Sequence, residues 1–165
     1  MFRVLLLASA VFCLAGCEVV GLVPESPEPE PASRPWTEML DAVNAARSEA
    51  RTCGGERFGA APPLAWSARL EAAALRHSRD MARTDRLSHR GSDGSRVGAR
   101  ATEAGYDWRR IGENVAQGPG SVEAAVAGWL ASPSHCGGIM DPGYTQVGAA
   151  KVDRFWTLVS ARPHR

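Results

Sequence analysis

Apolar residues recur at three- and four-residue spacing in three stretches of this chain, and dominate two short runs near its end. Thr37 to about Arg51 reads as a helix, with Met39, Leu40, Val43, Ala46 and Ala50 on one side and Thr37 able to cap it. Cys53-Gly54-Gly55 stops it, and Phe58 to Trp66 reads as a loop whose Leu64 and Trp66 plug a core. Ser67 to Thr84 carries the strongest helical pattern: Ser67 suits the N-cap, and Leu70, Ala74, His77 and Met81 form one stripe. Ser88 to Gly105 is irregular, with a short helix predicted over Ala99 to Ala104. After the Gly118-Pro119-Gly120 break, Ser121 caps a helix through Leu130 that aligns Val122, Val126 and Trp129. Pro133 ends it, and a short helical turn carries His135 to Met140. Thr145 to Val152 and Phe155 to Ala161 read as two strands joined tightly at Asp153-Arg154. Helices come first and strands close the domain, which predicts an α+β fold: a small sheet with helices on both faces.

The N-terminus breaks this pattern. Arg3 is followed by the short apolar run Val4 to Val11, and then by Leu14-Ala15-Gly16-Cys17. About ten apolar residues are too few for a membrane span, which needs about 20, but they suit a cleaved export signal. The last four residues resemble the bacterial lipobox, in which the cysteine is lipidated; an ordinary cleaved signal ending near a cysteine is the alternative. Acyl chains on Cys17 would anchor the protein to a membrane and place it at the cell envelope, facing periplasm or exterior. Val23 to Pro35 is proline-rich and acidic, a semi-rigid spacer. The chain therefore divides into a signal (1–16), a tether (17–35) and one folded domain (36–165), expected to be monomeric.

Charge and cysteine usage narrow the picture further. The chain has 19 basic and 18 acidic residues; removing the signal takes away Arg3, leaving 19 − 1 = 18 against 18. That balance argues against nucleic acid as a partner, since phosphate binding needs a net basic face. Of the four cysteines, Cys13 lies in the signal and Cys17 in the lipobox-like tetrapeptide, leaving Cys53 and Cys136 in the folded part. In an exported protein this pair is most economically read as one disulfide. The rival reading makes Cys136, beside His135, a thiol nucleophile or metal ligand.

Candidate chemistry sits in three separate segments: Leu87-Ser88-His89, Gly112-Glu113-Asn114 and Ser132-Pro133-Ser134-His135-Cys136. Two imidazoles and a carboxylate are the groups that bind divalent metals and move protons near neutral pH. His89, Glu113 and His135 could hold Zn²⁺ with positions open for water and substrate. Equally, they could form a structural, ligand-lining triad satisfied by internal hydrogen bonds. No HExxH helix and no serine nucleophile elbow is present. His77 points along an apolar helix face and reads as a core histidine. Gly91-Ser92-Asp93-Gly94 lacks the alternating acids of a calcium loop and reads as a turn.

A run of motifs resembles the CAP superfamily, which gathers cysteine-rich secretory, antigen 5 and pathogenesis-related proteins. They include Asn44-Ala45-Ala46-Arg47, Leu64-Ala65-Trp66-Ser67, His77-Ser78-Arg79-Asp80-Met81, Leu87-Ser88-His89 and Gly112-Glu113-Asn114-Val115-Ala116. Trp129 to His135, Ile139-Met140-Asp141-Pro142, Tyr144-Thr145-Gln146-Val147-Gly148 and Phe155-Trp156 complete the series. The resemblance implies a three-layer α-β-α sandwich with a groove over the sheet, lined here by His89, Glu113, Asn114, His135 and Tyr144. Many eukaryotic members line that groove with two histidines and two acids. His89 and Glu113 match one of each, but Gly143 stands at the second histidine's place and Ser132 at the second acid's. His135 belongs instead to a Ser-Pro-x-His pattern of the bacterial branch. Sterol, fatty-acid and protein-partner binding are all attributed to the family. The implied function is an envelope binding module for a lipid, peptide or cell-wall-derived ligand. The alternatives are a metal-dependent hydrolase and a non-enzymatic structural protein.

Overall fold

The Ser67 hydroxyl accepts the Leu70 amide proton and opens α2 (Ala68–Thr84), which ends at Asp85 in the left-handed region (φ 50°). Its apolar stripe is buried as the spacing requires: Leu70, Ala74, His77 and Met81 are each at most 1% exposed. The computed structural model describes Pro35–His164; the export segment, Cys17 and residues 17–34 of the tether fall outside the described residues.

The first helix, α1 (Pro35–Arg47), starts before Thr37 and ends four residues short of Arg51. Arg51–Cys53 is instead strand β1, paired antiparallel with β2 (Glu56–Phe58). Gly54 and Gly55, with φ of 60° and 104°, make the hairpin turn, so the glycines that read as a helix stop serve another element. The supposed loop 58–66 also ends in a short strand, β3 (Ala65–Trp66). Two motif residues hold it. Asn44 exchanges hydrogen bonds with both the backbone N–H and C=O of Leu64. The fully buried Arg47 donates to the carbonyls of Pro62, Ile139 and Asp141.

Further along come α3 (Val97–Glu103), β4 (Trp108–Gln117), α4 (Val122–Ala131), α5 (Pro133–Met140), β5 (Gln146–Val152) and β6 (Phe155–Pro163). Ser121 caps α4 by accepting the Ala124 amide proton. Pro133 opens α5 at its first turn, where its missing N–H leaves no bond unmade. The hydrophobic pattern does not announce β4, whose two sides serve different surroundings.

The sheet runs β3-β5-β6-β4, with β3 parallel to β5 and the other pairs antiparallel. Alternation along β6 divides two cores. Trp156 and Leu158 join Met39, Val43, Trp129 and Ile139 beneath α1, α4 and α5. Val159 and Ala161 join Leu70, Ala73, Ala74 and Ala101 beneath α2 and α3. This is the expected three-layer sandwich, with apolar side chains such as Leu158 each worth about 1.5–3 kcal/mol of burial. Gly148 shows how closely the layers meet: a Cβ there would run into the backbone of Leu70 and Glu71.

Candidate functional site

Strand β4 lies at the edge of the sheet, and consecutive residues of it face opposite layers. Glu113 turns toward α2 and α3, where its side chain is 3% exposed. Arg100 of α3, itself 2% exposed, donates from Nη2 to Glu113 Oε2 at 2.6 Å. On the other oxygen, Oε1, His89 Nδ1 sits at 2.9 Å. His77 Nε2 donates to the Ser88 carbonyl at 2.7 Å and lies 3.9 Å from the same Oε1. Asn114 turns the other way, and its Nδ2 donates to the His135 carbonyl in α5.

These groups meet at a cleft of about 250 Å³ lined by His89, Gly112, Glu113, Asn114, Ser134, His135, Gly138, Tyr144 and Ser160. All five groove residues named from the sequence border it, although they come from a loop, β4, α5 and the turn before β5. Tyr144 packs against Gly112, where any side chain would collide with its hydroxyl. Arg110 lies 5.5 Å from the Tyr144 ring and pairs with Asp141. A Cβ at Gly143 would crowd the side chains of Arg110 and Asp141, which would have to shift to admit a histidine there.

The electrostatics separate the three histidines. The hydrogen bond to Glu113 raises His89 above its ordinary 6.5, favouring the imidazolium. Burial lowers His77, which stays neutral inside the core, as its place on the apolar stripe predicts. Burial, and then the neighbouring charge of His89, lowers His135. Burial also raises Tyr144, keeping its hydroxyl protonated. The result is a His89 biased toward its imidazolium beside a His135 biased toward the neutral form, next to a carboxylate paired with Arg100.

A three-ligand metal site does not fit this arrangement. Glu113 has both oxygens engaged, and His89 gives its Nδ1 to the same carboxylate. Among the described residues no three His, Cys, Asp or Glu side chains gather in a metal-binding group. Cys136 cannot act as nucleophile or ligand because it is bridged to Cys53, with Cα atoms 5.5 Å apart. Arg100, which sequence reasoning passed over, is the residue that organises the set. Its signal was present: Val97, Arg100, Ala101 and Ala104 share the three–four spacing that turns Arg100 inward.

The cysteine-rich secretory protein (CAP) family model matches residues 40–154. Over 94 residues the chain is 30% identical to the uncharacterized membrane protein YlbC of Bacillus subtilis (strain 168), covering 57% of this chain and 27% of that protein. It thus spans about a quarter of that relative's length. An extracellular, SCP-domain protein from Bacillus anthracis str. Ames superposes with a TM-score of 0.68 at 27% identity, over 77% of this chain and 40% of that one. An outer surface protein of Borrelia burgdorferi gives 0.59 at 16% identity, covering 77% and 88%. A cysteine-rich secretory protein of Staphylococcus aureus gives 0.57 at 14%, covering 81% and 41%. The last two likenesses speak for the fold alone. Together with the sandwich and its edge-strand groove, the family match over most of the folded part establishes that this chain belongs to the cysteine-rich secretory protein (CAP) family.

Proposed function

We propose that this is an envelope binding module whose groove takes a carboxylate-bearing ligand, a peptide or a cell-wall-derived fragment. The carrying observation is the closed Glu113–Arg100 pair behind His89. With that carboxylate matched by Arg100, a protonated His89 leaves the cleft with a surplus positive charge and an Nε2–H directed away from Glu113. The hydroxyls of Ser134 and Ser160 and the amide of Asn114 add polar partners. Such a lining favours a polar anion over an acyl chain.

The test is calorimetric titration with N-acetyl-D-alanyl-D-alanine and N-acetyl-triglycine, each as free acid and as amide. The acid should bind at least about tenfold tighter than its amide, and His89→Gln should weaken it about 10–100-fold, the range of a charge-assisted hydrogen bond. Because the His89 pKa is raised, acid binding should be full below pH 6.5 and fall as pH rises through the raised value. Equal heats from acid and amide, or a flat pH profile, would sink this reading. A hydrolytic reading draws on the same Glu113-oriented imidazole, which can act as a general base only as pH rises above its raised pKa. It requires product to appear in these mixtures by chromatography, and to vanish with His89→Gln.

Surface attachment is part of the proposal: export by residues 1–16, lipid on Cys17, and a tether from 17 to 35 carrying a monomeric domain. Cys17→Ala should shift the protein from the detergent phase to the aqueous phase. Equal partitioning of the two forms would remove the lipid anchor.

A further inference from the structure

Seven arginines and three aspartates fall between positions 76 and 100 of a chain otherwise close to charge balance. The three acids are already matched. Asp80 accepts from Arg83 and Ser92, Asp85 from Arg154, and Asp93 from Arg76 and Ser95. Arg79, Arg86, Arg90 and Arg96 are exposed and, among the described residues, form no salt bridge. The first three gather toward the C-terminal end of α2. Arg86 and Arg90 line one cleft, Arg79 and Arg83 line the next, and the two clefts share Asp80 and Gly91.

Between Arg86 and Arg90 stands Leu87, 43% exposed and the only exposed large hydrophobic side chain among the described residues. Its loop is held from behind: the Ser88 carbonyl accepts from His77, and the Ser88 hydroxyl accepts from the Arg90 amide. An apolar side chain held outward among unpaired guanidinium groups matches one kind of partner. Guanidinium groups take phosphate oxygens in paired hydrogen bonds, and a leucine at the same level can enter the headgroup–acyl boundary. A soluble polyanion would satisfy the arginines but offers nothing to Leu87.

We infer that this arginine-and-leucine face docks the domain on an anionic lipid surface. The contact is independent of the groove ligand and of an acyl chain on Cys17. Where both exist they act on the same molecule, each too weak alone for stable anchoring. The loop that carries Leu87 also carries His89, so docking brings the rim of the groove to the lipid surface.

The test uses the mature polypeptide from position 17 with Cys17→Ser, so that no acyl chain contributes. It is sedimented with vesicles of phosphatidylcholine containing one-third phosphatidylglycerol, or of phosphatidylcholine alone. Binding should be confined to the mixed vesicles and decline with added salt. The double change Arg86→Gln with Arg90→Gln should weaken it about 25-fold, roughly fivefold for each charge, as about 1 kcal/mol per basic residue at such a surface implies. Arg86→Lys with Arg90→Lys should keep the salt-dependent part of the binding and bind between the parent and the Gln pair, since lysine retains the charge but not the paired hydrogen bonds. Leu87→Ser should weaken binding about three- to tenfold. These side chains are exposed, so melting curves should coincide; a variant that melts lower is replaced by Arg79→Gln, which should weaken binding about fivefold. Equal sedimentation with both vesicle types overturns the inference. An unchanged Leu87→Ser, or release by millimolar inorganic phosphate at constant ionic strength, overturns it in favour of a soluble anion.

Discussion

Replacing Arg100 with methionine should lower stability by about 3–5 kcal/mol, the cost of leaving one member of a buried ion pair alone. Arg100 and the Glu113 side chain are 2% and 3% exposed, and the 2.6 Å bond between them is the shortest contact either oxygen makes. In a thermal melt the loss should appear as a drop of roughly 10 °C or more. Arg100→Met combined with Glu113→Gln should cost much less than the two single changes summed, because the second removes the stranded charge. A second readout comes from the groove. Arg100 holds the His89 pKa down while Glu113 raises it, so Arg100→Met should move the His89 titration upward. A loss under about 1 kcal/mol, or strict additivity in the double variant, would show that the pair does not organise the site.

Removing the Cys53–Cys136 bridge should cost about 4–5 kcal/mol in the chain-entropy account, since it closes a span of 83 residues. Both cysteines are buried, at 5% and 0% exposure, in the core beneath α1, α4 and α5. The bridge also has a local role. It fixes the β1–β2 hairpin to α5, where Gly54 packs so tightly on Pro133 that a side chain there would collide. His135 lies in that helix, so Cys53→Ser with Cys136→Ser should weaken ligand binding as well as lower the melting temperature. Chemical reduction should reproduce the thermal shift. A double variant melting within about 3 °C of the parent would place the stabilisation elsewhere.

What could be read from the chain follows from how local each cause is. The helix α2 was legible because its cap, Ser67, and its stripe, Leu70 to Met81, lie within one continuous segment. The β5–β6 pair was legible because two apolar runs meet at a two-residue turn, where Asp153 takes a positive φ of 52°. Strand β4 was not. Ile111 and Val115 join two separate clusters with the charged Glu113 between them, while Gly112 meets Tyr144, Asn114 bonds α5 and Ala116 packs on the larger core, so neither side reads as a clean apolar alternation. The three-residue strands β1 and β2 are too short to impose a period on the sequence.

The site shows the same division. His89, Glu113 and His135 could be singled out by residue type, and the family pattern grouped them with Asn114 and Tyr144. What joins them could not be seen, because Arg100 stands 13 positions from Glu113 and carries no motif. The metal expectation treated the glutamate as a free ligand. Its two oxygens are taken by residues from two other segments, a fact that exists only in the fold.

The alternation of β4 has a consequence for how such a groove diversifies. Glu113 is anchored on the α2–α3 side, and its neighbour Asn114 contacts α5 on the other. The buried support and the cleft lining thus fall on consecutive residues that face different layers. Substitutions on the α5 side, at Ser134, His135 or Gly138, can change what the cleft accepts without disturbing the buried pair beneath it. A one-residue insertion or deletion within 111–113 would do the reverse, exchanging the two faces at once. On the proposed binding reading, the lining can therefore change without the support, whereas a change of length in this strand would disturb both.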